Sequence, residues 1–246
     1  MEISILTDVG QRRTNNQDYA NQYKNKAGKS MIFLADGMGG HRAGNIASEM
    51  AVTDLGTAWV ATEISTINEV REWFAENLEK ENQQIHRIGQ DEEHKGMGTT
   101  LEALAIIDDQ VLFAHVGDSR IGLVRNGEYH QLTSDHSLVN ALLKAGHITE
   151  EEAAHHPQRN IITQSIGQKD ELQPDFGMVT IEAGDFIVIN SDGLTNMISG
   201  DEIRDILVSD LSVEEKAKTL VRFANNAGGL DNITVVLIHF AEEDIA

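Results

Sequence analysis

The chain lacks cysteine altogether, and its 246 residues include only two prolines. Without cysteine, disulfide bonds, thiolate metal sites and a cysteine nucleophile are all excluded. No run of about 18 apolar residues occurs, so no membrane-spanning helix is predicted. The N-terminal segment is too short and too polar for a signal peptide. We therefore expect a cytoplasmic protein that does not insert into membranes.

Basic residues are also few in this chain. Lysine and arginine number 19 against 40 aspartates and glutamates, which gives a net charge of −21. This charge makes nucleic acids and anionic membranes poor partners. It is compatible with solubility alone and also with clustered carboxylates that bind cations. The chain has no low-complexity segment, internal repeat or visible linker, which predicts a single domain over residues 1–246.

Apolar runs of strand length recur along the chain. They are rich in β-branched residues and are bounded by glycine, asparagine or aspartate, which is typical of strands. The runs cover residues 3–6, 31–35, 101–107, 111–116, 121–125, 186–190 and 233–240. Tight turns are predicted at 107–111 and 125–129, the second with an Asn-Gly pair that favours an antiparallel hairpin.

Helical periodicity appears in longer segments between these runs. Apolar residues at steps of three and four predict helices over residues 46–59 and 67–88, and a later pair over 201–208 and 213–227. Helices and strands do not alternate regularly, which argues against a doubly wound parallel sheet. We therefore predict an α+β fold in which helices cover antiparallel sheets.

Residues 134–174 differ from the rest of the chain. They contain short helical patterns, four of the ten histidines and both prolines, Pro157 and Pro174. This composition predicts a surface excursion that could fold as a flap over a site. His155 and His156 have no carboxylate at metal-ligand spacing, so we expect them to be exposed.

Four aspartates lie at the ends of strongly apolar strands. Asp36 and Asp192 each end a strand and precede glycine, Asp118 follows a strand and a glycine, and Asp231 directly precedes the last strand. An ordinary turn explains any one of them. The glycines after Asp36 could instead cradle a phosphate at a helix start, although the Asp36 carboxylate would repel a pyrophosphate.

The four aspartates together favour a metal site. Strand ends that converge at one rim of a sandwich bring their carboxylates close, and carboxylates that close repel unless a cation neutralises them. Oxygen ligands without cysteine favour Mg²⁺ or Mn²⁺. Two such ions about 3.5–4 Å apart can lower the pKa of a shared water and present hydroxide to an electrophile.

The segment GQRRTNNQD supplies positive charge near the N-terminus, at Arg12 and Arg13. An arginine fork matches the oxygens of a phosphate. A solvated basic patch is the alternative. Beside an aspartate cluster, an arginine that holds a phosphate is the better interpretation.

Several short motifs carry a family resemblance: RRTNNQD, LADGMGGHRAGNIAS, GMGTTL, AHVGDSR, LTSDHSLV, SDGLTNMI and GGLDNITVV. In order and spacing they resemble the metal-dependent protein phosphatases of type 2C (PPM), over about residues 5 to 240. The chain is similar to the compact bacterial members, which commonly partner a membrane Ser/Thr protein kinase. The resemblance implies an αββα sandwich of two antiparallel sheets flanked by helix pairs, with residues 134–174 as its variable flap.

The resemblance also implies a ligand set for Mg²⁺ or Mn²⁺. Asp36 would bridge two core ions, and the Gly37 carbonyl would complete one of them. Asp192 and Asp231 would hold the second ion. Asp118 would share a third, weaker ion with Asp192.

Four further positions near the N-terminus take roles from the resemblance. Arg13 would hold the substrate phosphate, and His41 would protonate the leaving serine or threonine oxygen. Asp18 matches a family acid and is counted with the metal-binding residues. Gln17 departs from the family, because many members carry an acid at that position.

The reaction implied is hydrolysis of phosphoserine and phosphothreonine in proteins by a metal-bridged hydroxide, reversing a cognate Ser/Thr kinase. Two alternatives are a phosphatase of small phosphomonoesters and a pseudophosphatase that binds phosphoproteins without turnover. The complete set of aspartates argues against the pseudophosphatase. The variable flap carries no information on substrate choice.

Overall fold

A computed structural model describes residues 1–39 and 43–245. Within these residues the chain forms eleven strands that pair antiparallel in two sheets. The strands are β1 (Glu2–Asp8), β2 (Asp18–Lys24), β3 (Ser30–Met38), β4 (Gly98–Thr99), β5 (Leu101–Ile107), β6 (Gln110–Val116), β7 (Arg120–Arg125), β8 (Glu128–Gln131), β9 (Asp175–Thr180), β10 (Phe186–Asn190) and β11 (Ile233–His239). The first sheet has the order β1-β11-β10-β7-β8, and the second has the order β2-β3-β5-β6-β9 with β4 paired to β3.

The described residues form seven α-helices, of which the first two and the last two cover the outer faces of the sheets. They are α1 (Ala43–Val60), α2 (Ile67–Ile88), α3 (Leu138–Lys144), α4 (Glu150–Ala154), α5 (Asp192–Thr195), α6 (Gly200–Leu207) and α7 (Val213–Asn226). α2, α6 and α7 each begin with a capping box, in which a Ser or Thr and the Glu three residues later satisfy the first backbone N–H groups. None of the helices in the described ranges is long and apolar enough to cross a membrane.

Strand periodicity explains why the layers stack as they do. Alternate residues of β3 face opposite sides: Met31 and Phe33 pack under α1 and α2, whereas Ile32 packs against the other sheet. On the far side, Leu220 of α7 packs over Val235 of β11. The central strands are therefore apolar on both faces. The predicted α+β fold, an αββα sandwich with two antiparallel sheets, is confirmed.

Strands with polar residues escaped the sequence prediction. β2 (DYANQYK) and β9 (DFGMVT) are the edges of the second sheet, and each bonds to a single neighbour. An edge strand needs only one apolar face, so its signal is weak. On the helices above this sheet, Trp59 of α1 and Trp73 of α2 are both buried, with ring centroids 5.5 Å apart.

The flap, residues 134–174, leaves the sandwich between β8 and β9 and contains α3 and α4. Ser137 and Thr149 cap these helices. His155 is exposed as expected. His156 is partly buried, contrary to the expectation, and its Nδ1 accepts a hydrogen bond from the Gln158 N–H at 3.1 Å.

Candidate active site

Hydrogen bonds of its backbone N–H and carbonyl hold Asp36 in place near the end of β3. Its N–H donates to Thr100 Oγ1 at 2.9 Å, and its carbonyl accepts from Thr100 N and Thr99 Oγ1, both at 2.9 Å. In the β2–β3 ladder it lies directly opposite Asp18. Burial, with the carboxylates of Asp18 and Asp192 next in weight, raises the pKa of Asp36 well above its usual value.

Gly37 follows at a point where the first turn of α1 meets the strand. Its N–H donates to the Gln17 carbonyl at 3.0 Å. A Cβ built on Gly37 would lie 2.0 Å from the Gly44 carbonyl oxygen, so no larger residue fits without moving the helix. The backbone after Asp36 can therefore lie this close to α1 because β3 and α1 are in contact through two glycines.

Asp192 and Asp231 come from neighbouring strands of the first sheet. Asp192 begins α5 directly after β10, and Asp231 precedes β11. A Cβ on Gly193 would lie 1.9 Å from the Asn232 carbonyl oxygen and 3.5 Å from the Asp231 Cβ. The two Asp-bearing turns are therefore in backbone contact, which holds their carboxylates in one region.

Asp118 lies in the loop after β6, on the other sheet. Gly117 has φ +116°, and a Cβ there would lie 2.5 Å from Thr100 Cγ2. Arg120 binds Asp135 in bidentate fashion, with Nε–Oδ1 at 2.9 Å and Nη2–Oδ2 at 2.6 Å. This ion pair joins the Asp118 loop to the start of the flap, so Arg120 acts as a structural partner of the loop.

Asp18 is the most buried of the five acids, with 6% of its surface exposed. Its Oδ2 accepts from Ser191 Oγ at 2.7 Å, and its Oδ1 is a buried atom with no hydrogen-bond partner among the described residues. Burial raises the pKa of Asp18 to about 6, and the Ser191 hydroxyl lowers it in part. A buried carboxylate oxygen without a donor is costly unless a cation or a proton satisfies it.

Five carboxylates repel one another and are called the aspartate cluster below: Asp18, Asp36, Asp118, Asp192 and Asp231. Burial, followed by the Asp192 carboxylate, raises the pKa of Asp118 to about 7. Burial, followed by the Asp231 carboxylate, raises the pKa of Asp192 to about 6. These acids are therefore close enough to oppose one another's ionisation, which is the electrostatic condition a divalent cation relieves.

Some cluster oxygens already have protein donors. Asp192 Oδ2 accepts from Asn196 Nδ2 at 2.8 Å, and Asp231 Oδ2 accepts from Arg13 Nη2 at 2.7 Å. Within residues 1–39 and 43–245, no three His, Asp or Glu side chains already form a ligand group for one ion. The fit to hard cations therefore rests on the oxygen donor set, the shared repulsion and the unpartnered Asp18 oxygen.

A cleft of about 730 Å³ lies beside the cluster. Asp118, Asp192 and Asp231 line it on the sandwich side, and Arg13 lies at the same wall. The flap forms the opposite wall, with Arg159 among its side chains. The structure thus brings three of the predicted aspartates and Arg13 to one cleft. Asp18 and Asp36 belong to the cluster by their mutual repulsion and do not line this cleft. His41, the predicted proton donor, lies outside the described residues.

Two contributors to this site carry no charge and escaped the sequence analysis. Ser191 donates to Asp18, and Asn232 bonds to the chain around Arg13. Each directly neighbours a predicted aspartate in the sequence. The sequence did contain one signal for both residues. Each is a polar residue beside a buried strand, where a polar group without a hydrogen-bond partner is costly.

Comparison with known proteins identifies the functional class of this chain and its family. The chain is 74% identical to protein phosphatase PhpP of Streptococcus pneumoniae serotype 2 strain D39 over 244 residues, 99% of both chains. It is 41% identical to serine/threonine phosphatase stp of Listeria monocytogenes serovar 1/2a, over 97% of this chain and 95% of that protein. This likeness makes the chain an enzyme, a protein serine/threonine phosphatase.

Solved structures agree with this class. The Streptococcus agalactiae serine/threonine phosphatase matches with a TM-score of 0.96 and 60% identity, over 97% of this chain and 99% of that one. The Mycobacterium tuberculosis phosphatase PstP/Ppp matches with a TM-score of 0.84 and 33% identity, over 98% and 99%. The sequence profile described as protein phosphatase 2C matches residues 9–228, and the chain belongs to that family.

Proposed function

We propose that the aspartate cluster holds Mg²⁺ or Mn²⁺ and that the cleft beside it hydrolyses phosphoserine and phosphothreonine in proteins. The observation that best supports this proposal is that the five acids are buried together and repel one another. Burial and the four neighbouring carboxylates together raise the pKa of Asp36. Membership of a metal-dependent family supports the same conclusion.

The ligands proposed for two core ions are Asp36, the Gly37 carbonyl, Asp192 and Asp231. Asp118 would share a third, weaker ion with Asp192. When bound, the ions supply positive charge that lowers the pKa of a water and offsets the charge on the phosphoryl oxygens. The buried Asp18 is counted with these ligands, because its unpartnered oxygen is one that a cation would satisfy.

Arg13 is proposed to hold the substrate phosphate. Half of its side chain is exposed at the cleft, and its guanidinium already binds one carboxylate, that of Asp231. Several of its N–H groups remain for a second anion, and a phosphate matches their spacing. His41 is proposed, from its motif alone, to donate a proton to the leaving alcohol oxygen.

The shape of the cleft supports a protein substrate. Its volume of about 730 Å³ is larger than a phosphoryl group needs, and the flap side chains lie where residues flanking a phosphoserine would pass. The proposed physiological role is reversal of a cognate Ser/Thr protein kinase in the cytoplasm. No part of this proposal requires nucleic acid or insertion into a membrane.

Turnover of three substrates tests the proposal. Purified protein with Mn²⁺ is assayed on a phosphothreonine peptide, a sugar phosphate and p-nitrophenyl phosphate, before and after chelation by EDTA. We expect metal-dependent turnover, with kcat/KM far higher for the peptide than for the sugar phosphate. Preference for the sugar phosphate would support the small-molecule alternative, and binding without any turnover would support the pseudophosphatase.

A further inference from the structure

We infer that Asn232 is a positioning residue that holds the loop of residues 9–17, and with it Arg13, at the phosphate-binding cleft. This segment is called the arginine loop below. The inference rests on the proposed role of Arg13 in phosphate binding. It assigns a task to a side chain that has no charge and no direct contact with the proposed substrate.

The Asn232 amide bonds to both ends of the arginine loop. Its Oδ1 accepts from the Gln17 N–H at 2.9 Å. Its Nδ2 donates to the Val9 carbonyl at 3.0 Å and to the Asn15 carbonyl at 2.9 Å. With 4% of its surface exposed, Asn232 makes these bonds out of contact with water. One buried side chain therefore fixes where the loop leaves β1 and where it enters β2.

The same amide connects the arginine loop to the aspartate cluster. The Gln17 carbonyl accepts from the Gly37 N–H at 3.0 Å and from Ser48 Oγ at 2.6 Å. Asn232 directly follows Asp231, whose Oδ2 binds Arg13. The Asn232 side chain therefore joins the loop to the start of β11, and the Gln17 backbone carbonyl joins the loop to the end of β3.

The loop has further contacts in both of its halves. The N–H groups of Gln11 and Arg12 donate to the Gly229 carbonyl, at 2.8 and 3.2 Å. A Cβ on Gly10 would lie 2.1 Å from the Asp231 carbonyl oxygen. These contacts keep the first half of the loop near β11. In the second half, Asn16 Nδ2 also donates to Thr7 Oγ1 at 2.7 Å, and the Asn232 amide bonds to both halves. Loss of that amide would let Arg13 shift relative to Asp231, and a shift of about 1 Å can cost about 100-fold in rate.

A double-mutant cycle with Arg13 tests the inference. We measure kcat and KM for a phosphothreonine peptide at saturating Mn²⁺ in wild type, Asn232→Ala, Arg13→Ala and the double variant. Asn232→Ala is expected to lower kcat/KM by about 10- to 100-fold in wild type. In the Arg13→Ala background the further loss should be less than about 3-fold, since the loop then carries no guanidinium to misplace.

Asn25 supplies a matched control. It is likewise buried, and its side chain makes the same kind of bonds, from Nδ2 to Thr62 Oγ1 and the Ile64 carbonyl and from the Lys29 N–H to Oδ1. Asn25→Ala should lower Tm much as Asn232→Ala does, with unchanged kcat/KM. If Asn232→Ala fails to fold, Asn232→Asp removes both donated bonds, keeps the acceptor for Gln17 and enters the same cycle.

Hydrogen exchange separates failure of this inference from failure of the proposed function. Backbone amides of residues 9–17 should exchange faster in Asn232→Ala than in Asn25→Ala. Equal losses of kcat/KM in both Arg13 backgrounds, or unchanged exchange of the arginine loop, would overturn the inference. If Arg13→Ala itself has wild-type kinetics, the proposed phosphate role is wrong, and the exchange result alone decides whether Asn232 holds the loop.

Discussion

Arg13 donates from Nη2 to Oδ2 of Asp231 at 2.7 Å, which joins a proposed phosphate-binding residue to a proposed metal ligand. The arginine side chain is 50% exposed and the aspartate 34%. An ion pair this open to solvent contributes little to stability, so an incoming dianionic phosphate can compete for the guanidinium. The pair holds Arg13 beside the cluster without burying its remaining N–H groups.

Replacing Arg13 should therefore weaken substrate binding. Arg13→Ala is expected to raise KM for a phosphothreonine peptide by about 10- to 100-fold, the usual cost of losing hydrogen bonds to a charged group. A fall in kcat as well would indicate that the fork tightens in the transition state. The exposed neighbour Arg12 is the matched control, and Arg12→Ala should behave as wild type. Unchanged kcat/KM in Arg13→Ala would make Arg13 a solvated surface residue.

Removing a cluster acid should separate activity from stability. Asp192→Ala and Asp231→Ala are each expected to abolish turnover, because each removes a proposed ligand. In EDTA their Tm values should equal or exceed that of wild type, since an acid has left a mutually repulsive group. Asp201→Ala, an exposed acid on α6, serves as the control and should keep full activity.

Chelation tests the same cluster without mutation. EDTA should inactivate the wild-type enzyme, and added Mn²⁺ should restore turnover and raise Tm, because a ligand that binds only the folded state stabilises it. Full activity after exhaustive chelation is the result that would contradict a metal-dependent mechanism.

The proposed acid role of His41 depends on the leaving group. A serine alkoxide needs a proton as the P–O bond breaks, whereas p-nitrophenolate does not. His41→Ala should slow phosphopeptide hydrolysis by about 10²–10⁴-fold and p-nitrophenyl phosphate hydrolysis far less. The measurement is kcat for both substrates at saturating Mn²⁺. Equal losses would indicate that His41 shapes the metal-binding turn instead.

Glu81 gives a pH-dependent stability prediction away from the active site. It is buried on α2, its Oε1 has no hydrogen-bond partner among the described residues, and burial, with the Asp54 carboxylate, raises its pKa from 4.5 to about 8. The folded state therefore binds this proton more tightly than the unfolded state. The stability that follows is complete below about pH 4.5 and is lost as the pH rises through about 8.

Glu81→Gln keeps the neutral form at every pH. Near pH 5 the Tm of this variant should be close to that of wild type. Near pH 9 it should be higher than that of wild type by roughly 5–10 °C. Glu72→Gln, an exposed position on the same helix, should show no such trend. A constant Tm difference across the pH range would show that Glu81 does not titrate between the two limits.

The extent of sequence-based prediction differs between central strands and edge strands. The apolar strands β3, β5, β6, β10 and β11 were predicted because both of their faces are buried, which makes their apolar runs continuous. β2 has only one central neighbour and reads as polar loop, yet it carries Asp18 opposite Asp36. Edge position, which determines how many apolar residues a strand needs, is a property of the assembled sheet.

The sequence by itself determined the apolar strands, the helix pairs, the family and the residue types of the site, because periodicity and motif spacing are local. Only the tertiary structure decided which of these residues meet. Asp36 lies on β3 of the second sheet, the Asp192 and Asp231 turns belong to the first sheet, and the Asp118 loop connects β6 of the second sheet to β7 of the first. These acids approach one another because the two sheets pack face to face. The bonds of Asn232 to a loop more than two hundred residues earlier in the chain exist only because β1 and β11 pair, and no local pattern encodes that contact.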